Sequence, residues 1–143
     1  MKFIYNDGGR KDAGYKNSTS DCVTRAISIA TQIPYQDVYN SINELSKKER
    51  ITKRKRKKSN AETGVFKRTI RKYMKSIGWK WVPTMFVGQG CKVHLIKNEL
   101  PSGRLVVSVS KHCVAVINGV IHDTYDPSRD GKRCVYGYYM NNN

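Results

Sequence analysis

The spacing of apolar residues changes from a helical to a strand-like period about halfway along the chain. In the first half, three stretches carry apolar residues every three or four positions, which predicts amphipathic helices with one buried face. The first begins near Ser20 or Asp21, either of which can cap a helix. The second follows Pro34, and the third covers roughly 62–77 and ends at Gly78.

The C-terminal third alternates apolar and polar residues, as β-strands do. Strands are predicted over 104–110, 113–117, 120–125 and 133–140, and the dipeptide Asn118-Gly119 between two of them is a strong hairpin signal. Helices followed by such strands predict an α+β fold, in which N-terminal helices pack on a C-terminal antiparallel β-meander. The remaining segments predict an edge strand at 3–5, a strand at 79–83, a loop at 88–90 and a short helix within 91–100.

Composition indicates one domain over residues 1–143 that needs no disulfides to bury a core, since 38% of the residues are hydrophobic. The sequence contains neither a signal peptide nor an apolar stretch long enough to cross a bilayer, so no membrane partner is expected. The four cysteines, at positions 22, 91, 113 and 134, lack a secretory context. We therefore expect reduced thiols and a cytoplasmic protein.

Charge is concentrated in one segment of this strongly basic chain. The run Lys47–Lys58 holds nine basic residues and one glutamate, and thus half of the formal net charge of +16. We expect an exposed basic loop at about 47–60 that contacts a partner through Lys53, Arg54, Lys55, Arg56, Lys57 and Lys58. The charge is compatible with a loop that only raises solubility, with nucleic-acid binding, or with attraction of an acidic protein or peptide.

Cys22 falls in the first turn of the first predicted helix. Unpaired amide groups and the helix dipole favour an anion there, so the position suits a thiolate nucleophile. A structural cysteine would fit the same place, because a thiol also packs as a small apolar group. Position alone leaves both roles open.

His112 begins the strand that ends at the Asn118-Gly119 turn, and a two-residue turn fixes how the flanking strands pair. The predicted pairs are Ile117 with Val120, Val116 with Ile121, Val114 with Asp123, and His112 with Tyr125. Because side chains alternate, one face of the sheet would carry His112, Val114, Val116, Ile121, Asp123 and Tyr125, opposite Cys113 and His122. Asp123 is then diagonal to His112, close enough to accept its ring N–H and hold the tautomer that deprotonates a thiol. The alternative is that His112 and Asp123 pair simply as two polar groups at the edge of the sheet, with no catalytic role.

The segments SDCVTRAISIAT and HCVAVINGVIHDT resemble the papain-like superfamily of cysteine peptidases. The similarity is greatest to small bacterial and phage members, such as the peptidases that process bacteriocin leaders and certain cell-wall hydrolases. In those families a cysteine opens an early helix, a histidine follows on a strand, and a polar residue on the next strand orients it. The matched segments, 20–31 and 112–127, cover about a fifth of the chain. The resemblance implies a papain-like fold and a triad of Cys22, His112 and Asp123.

In the papain-like pattern, a glutamine six residues before the nucleophile helps to bind the oxyanion. This chain departs from the pattern, because it has Lys16 at that position. The resemblance then leaves Asn17 or Thr19 as candidate oxyanion donors beside the backbone amide of Cys22. It also leaves the orienting residue open. Asp126 precedes a proline, as the orienting aspartate of the bacteriocin-leader peptidases does, and a bulge would bring it into place; the register favours Asp123.

Two hypotheses about function follow. In the first, His112 takes the Cys22 proton and the thiolate attacks a peptide, isopeptide or related amide, while the basic loop recruits an acidic protein or peptide substrate. In the second, an inactive papain-like domain binds nucleic acid or protein through that loop. Neither needs a cofactor. A zinc site built on Cys91-x-x-His94 lacks a second paired motif, so no metal is predicted.

Overall fold

A computed structural model describes residues 1–16 and 20–142 of the chain. Within these residues three α-helices and one six-stranded mixed sheet make an α+β fold. The helices are α1 (Cys22–Thr31), α2 (Tyr35–Ser46) and α3 (Lys67–Ser76). The strands are β1 (Lys2–Tyr5), β2 (Trp79–Pro83), β3 (Arg104–Val109), β4 (His112–Ile117), β5 (Val120–Asp123) and β6 (Val135–Asn141).

The strand order across the sheet is β1-β5-β4-β3-β6-β2. The predicted antiparallel meander is present in β3, β4 and β5, but β6 returns to lie beside β3 rather than beside β5. The outer strands come from elsewhere in the chain, with β1 parallel to β5 and β2 antiparallel to β6. The expectation of helices first and a purely antiparallel meander afterwards is therefore only partly correct.

Each face of the sheet is covered by a separate hydrophobic core. On one face, apolar residues of the three helices pack against Trp79, Val106, Cys113, Ala115 and Tyr139. On the other face, the alternate residues of β3 and β4 pack against Leu95 and Leu100, which precede β3. A 3₁₀ turn at Lys97–Glu99 lies within this covering segment. The sheet is thus the middle layer, and α1 packs directly against β4.

Hydrogen bonds from outside the helix hold α1 in place near each end. The guanidinium group of Arg104 donates to the carbonyl oxygens of Ala30 and Ile29, at 2.6 and 2.7 Å, and so satisfies acceptors that a helix C-terminus leaves open. In the first turn, the buried Thr24 hydroxyl donates to the carbonyl oxygen of Ala61 at 2.8 Å. These contacts fix where α1 begins relative to the sheet.

The β4–β5 hairpin has the predicted turn, with Asn118 and Gly119 at φ 48° and 79°. The predicted pairs Ile117–Val120 and Val116–Ile121 are present, but the ladder ends one pair later, at Ala115–His122. The predicted pairs Val114–Asp123 and His112–Tyr125 are therefore wrong. On its other edge β5 remains paired one residue further, with Asp123 opposite Tyr5 of β1.

The predicted environment of His112 and Asp123 is also wrong. Val114, Val116 and Ile121 belong to the core on the face away from α1, whereas Cys113 and Ala115 face the helices. His112 and Asp123 nevertheless contact α1, because they stand at strand ends beyond the paired part of the hairpin.

Two helix predictions need correction. The third helix begins at Lys67 rather than near 62, because the side chain of Asn60 accepts the N–H groups of Glu62 and Thr63 and forms a turn that closes at Gly64. The helix expected within 91–100 is only the 3₁₀ turn. The backbone of 93–95 is used instead in antiparallel bonds to 133–135.

These antiparallel bonds also bring two distant cysteines together. Cys91 and Cys134, 43 residues apart, have their Cα atoms 5.9 Å from each other and form a disulfide. The expectation of reduced thiols is therefore wrong for this pair, since it took no account of how the loop before β3 folds back along the start of β6. Cys22 and Cys113 are free thiols.

The basic run Lys47–Lys58 forms a surface loop in which every residue from 51 to 58 is exposed. Its base is closed by the Glu49 carboxylate, which accepts hydrogen bonds from the backbone and hydroxyl of Ser59 and from the hydroxyl of Thr69. Burial raises the pKa of Glu49, but these bonds outweigh it and leave the pKa below its ordinary value. Among the described residues, no helix is long and apolar enough to cross a membrane.

Candidate active site

Cys22 is the first residue of α1 and is half-buried at the edge of the helix-side core. The preceding residue, Asp21, occupies the N-cap position, but its carboxylate does not cap the helix. It binds Arg10, Arg25 and the Tyr35 hydroxyl instead. The N-cap side chain thus leaves the first-turn amides of α1 uncapped, which keeps the start of the helix suited to a negative charge.

His112 is the first residue of β4 and follows a tight turn in which Lys111 has a φ of 55°. The guanidinium group of Arg133 stabilises this turn, because it donates to the Ser110 carbonyl oxygen. The His112 ring lies 2.6 Å, through Nε2, from Oδ2 of Asp123, and it lies close enough to Cys22 on α1 for the thiol to affect its pKa. The ring therefore connects the thiol to the carboxylate.

The pKa of His112 is raised from 6.5 to about 9. Burial alone would lower it, but the hydrogen bonds to Asp123 and Cys22, together with the charges of these groups, outweigh burial. At neutral pH the imidazolium form therefore predominates. The ring is thus a positively charged group beside Cys22.

Asp123 makes four polar contacts, three through its carboxylate and one through its backbone carbonyl. Oδ2 accepts from His112, while Oδ1 accepts from the backbone N–H of Thr124 at 2.7 Å and lies 3.4 Å from Nη2 of Arg25. The Asp123 carbonyl oxygen accepts from the N–H of Asn6, just after β1. A carboxylate fixed in this way orients the imidazole, as a positioning group in a catalytic triad does.

Arg25 extends this row of polar groups into the helix-side core. Its guanidinium group binds both Asp21 and Asp123, and all three side chains are at most 4% exposed. The buried Tyr35 hydroxyl donates to Asp21 at 2.7 Å. Arg25 was not among the site residues predicted from the sequence, although its spacing of four residues from Asp21 on a helix is a recognisable ion-pair signal.

The other candidate residues are placed differently. Asp126 is exposed, and its Oδ1 accepts the backbone N–H of Ser128 at 2.9 Å in a local turn. The structure thus brings Asp123, not Asp126, to His112. The candidate oxyanion donors Asn17 and Thr19 lie outside the described residues.

Cys22 and His112 line a cleft of about 760 Å³ between α1, α3 and the sheet. Its apolar lining includes Val23, Val65, Ile70 and Trp81, and the exposed ring of Tyr125 stands 5.1 Å from the His112 ring. A cleft of this size is typical of sites for small ligands or short peptide segments. The thiol is thus accessible from an open, partly apolar groove.

The second free thiol differs from Cys22 in its environment. Cys113 is 8% exposed, and burial, followed by the nearby Cys22 and Asp123, raises its pKa well above the ordinary value. Among the described residues, no group of three or more histidine, cysteine or acidic side chains is placed to hold a metal ion. Within the candidate site, Cys22 is the thiol suited to act as a nucleophile.

The raised pKa gives a direct prediction for the histidine spectra. The His112 ring protons should titrate in NMR with a midpoint near pH 9, and Asp123→Asn should lower that midpoint because it removes a bond and a charge that raise the pKa. His122, whose pKa is lowered by burial and by Arg104, is the internal control and should titrate below 6.5 in both proteins. A His112 midpoint near 6.5 in the unmodified chain would contradict the assignment.

Comparison with known proteins gives no relative from which a role could be transferred. No family model matches the chain, and neither the curated proteins nor the solved structures contain a match. The chemistry of the site therefore has to be argued from its own residues.

Proposed function

We propose that this protein is a cysteine hydrolase of papain-like arrangement that cleaves a peptide, isopeptide or related amide bond. The observation that carries the proposal is that Cys22 and His112 line one cleft and lie close enough to interact, while His112 is hydrogen-bonded to Asp123. The thiol at a helix start, the histidine at a strand start and the carboxylate on the next strand have the order and contacts that thiol hydrolases use.

The proposed reaction assigns one step to each residue. His112 already holds the proton of Cys22 as an imidazolium, and the thiolate sulfur attacks the carbonyl carbon of the amide. First-turn N–H groups of α1 stabilise the negative oxygen of the tetrahedral intermediate. His112 then protonates the departing amine as the C–N bond breaks, and a water molecule hydrolyses the thioester, which releases the acid and restores the thiol. Asp123 holds the ring in position throughout.

Alkylation by iodoacetamide tests whether the thiol is activated. Cys22 should react faster than Cys113 in the folded protein, because Cys113 is buried and Cys22 lies beside a cation. His112→Ala should slow the reaction of Cys22 by about tenfold at pH 6 to 7, where few unassisted thiols are ionised. Site-resolved mass spectrometry over time measures both rates.

The same experiment contains its own control. Cys113 in the denatured chain gives the rate of an ordinary thiol under identical conditions. Equal rates for folded Cys22 and this reference, or no change in His112→Ala, would count against the proposed function.

A further inference from the structure

The cleft beside Cys22 carries a marked imbalance of charge. Of the described residues that line it, five are lysine or arginine and none is aspartate or glutamate. Two of the five, Arg10 and Arg25, are bound to Asp21 at the back of the site. The other three, Lys67, Arg71 and Lys111, take part in none of the ion pairs found among the described residues.

Helix α3 presents two of these cations together with an apolar side chain. Lys67, Ile70 and Arg71 are three and four positions apart and therefore share one helical face, which lines the cleft. The Arg71 guanidinium group lies close enough to the Tyr139 hydroxyl to lower its pKa against the effect of burial, and Lys67 Nζ lies 5.6 Å from the Tyr136 ring centre. Aromatic residues of β6 thus steady both cations at the wall of the cleft.

The basic surface continues from this wall to the exposed basic loop. Lys55 of the loop lies over the ring of Phe66, 4.4 Å from its centre, and Phe66 immediately precedes α3. An anionic molecule would therefore meet positive charge from the loop to the cleft, which increases its rate of arrival. The proposed reaction also requires an acyl carbon beside the thiol, which a peptide supplies and a phosphodiester chain does not.

We propose that the cleft binds acidic peptides, and that Lys67 and Arg71 form a subsite for a glutamate or aspartate side chain one residue before the residue whose bond is cleaved. This inference rests on the proposed function of Cys22. The apolar Ile70 would pack against the methylene groups of the acidic side chain, and the two cations would bind its carboxylate.

Two peptide chloromethyl ketones, acetyl-Glu-Gly-CH₂Cl and acetyl-Gln-Gly-CH₂Cl, test the subsite because they differ by one charge at nearly equal size. In both, the Cys22 sulfur forms a bond to the methylene carbon and chloride leaves. At low ionic strength the glutamate compound should alkylate Cys22 about fivefold faster, since two partly exposed cations act on its carboxylate. The preference should be lost in Lys67→Met/Arg71→Met.

The matched control is Arg68→Met/Lys72→Met, which removes the same charge from the same helix at exposed positions outside the cleft. It should keep most of the preference. Equal rates for the two compounds, or an equal loss of preference in both double variants, would overturn the subsite. If neither compound nor iodoacetamide reacts selectively with Cys22, the proposed function itself fails. Protection of Cys22 by a single-stranded oligonucleotide, without a glutamate preference, would assign the cleft to nucleic acid and overturn the inference.

Discussion

Replacement of His112 by glutamine is expected to slow hydrolysis of the activated ester p-nitrophenyl acetate by between about a hundredfold and ten-thousandfold. Glutamine has similar volume and keeps polar atoms, but it can neither accept the Cys22 proton nor carry a positive charge beside the sulfur. The rate of p-nitrophenolate release at neutral pH, after subtraction of the rate for Cys22→Ser, measures the effect.

The matched control is His122→Gln, the same substitution in the adjacent strand. His122 immediately precedes Asp123, but its ring lies near the Asn6 side chain, at 3.5 Å, rather than near Cys22. Its loss should leave the rate within about twofold of the unmodified protein. A His112→Gln rate that remains close to that of His122→Gln would remove the histidine from the reaction.

Replacement of Arg25 by methionine is expected to lower the free energy of unfolding by about 3–5 kcal/mol, the range for removing one partner of a buried ion pair. Arg25 binds Asp21 and Asp123, and all three side chains are almost completely buried. Methionine fills much of the space but leaves Asp123 with less compensation for its charge. Urea denaturation at pH 7 measures the difference.

The control for this change is Arg68→Met on α3, where the arginine is exposed. Its effect should stay within about 0.5 kcal/mol, as for most surface substitutions. If Arg25→Met were as mild as Arg68→Met, the row of buried charges behind His112 would contribute little to stability. The orientation of Asp123 would then have to depend on its bonds to His112 and Thr124 alone.

Local patterns in the sequence were sufficient for the elements that carry the candidate site. The helical period after Asp21 predicted that Cys22 stands at a helix start, and the Asn118-Gly119 turn predicted the hairpin that includes His112 and Asp123. Such signals depend on residues close together in the chain, so the elements that they predict are present in the folded protein. The structure brings these three residues together, with His112 hydrogen-bonded to Asp123 and close enough to Cys22 for the thiol to affect its pKa.

Features that depend on distant segments were not predictable in the same way. The pairing of Asp123 with β1 joins segments near the two ends of the chain, and the Cys91–Cys134 disulfide results from 93–95 pairing with 133–135. The buried role of Arg25 depends on two carboxylates, one of them 98 residues away. No short-range periodicity encodes such contacts, because they arise from the packing of whole elements.

The most direct test of the account is to trap the intermediate formed when p-nitrophenyl acetate reacts with the unmodified chain. Acid quenching during the first turnover, followed by peptide mass spectrometry, locates the acetyl group. The account predicts one acetyl group per chain as a thioester on Cys22, absent in Cys22→Ser and greatly reduced in His112→Gln. Acetyl groups found only on lysines or on Cys113, with Cys22 unmodified, would contradict it.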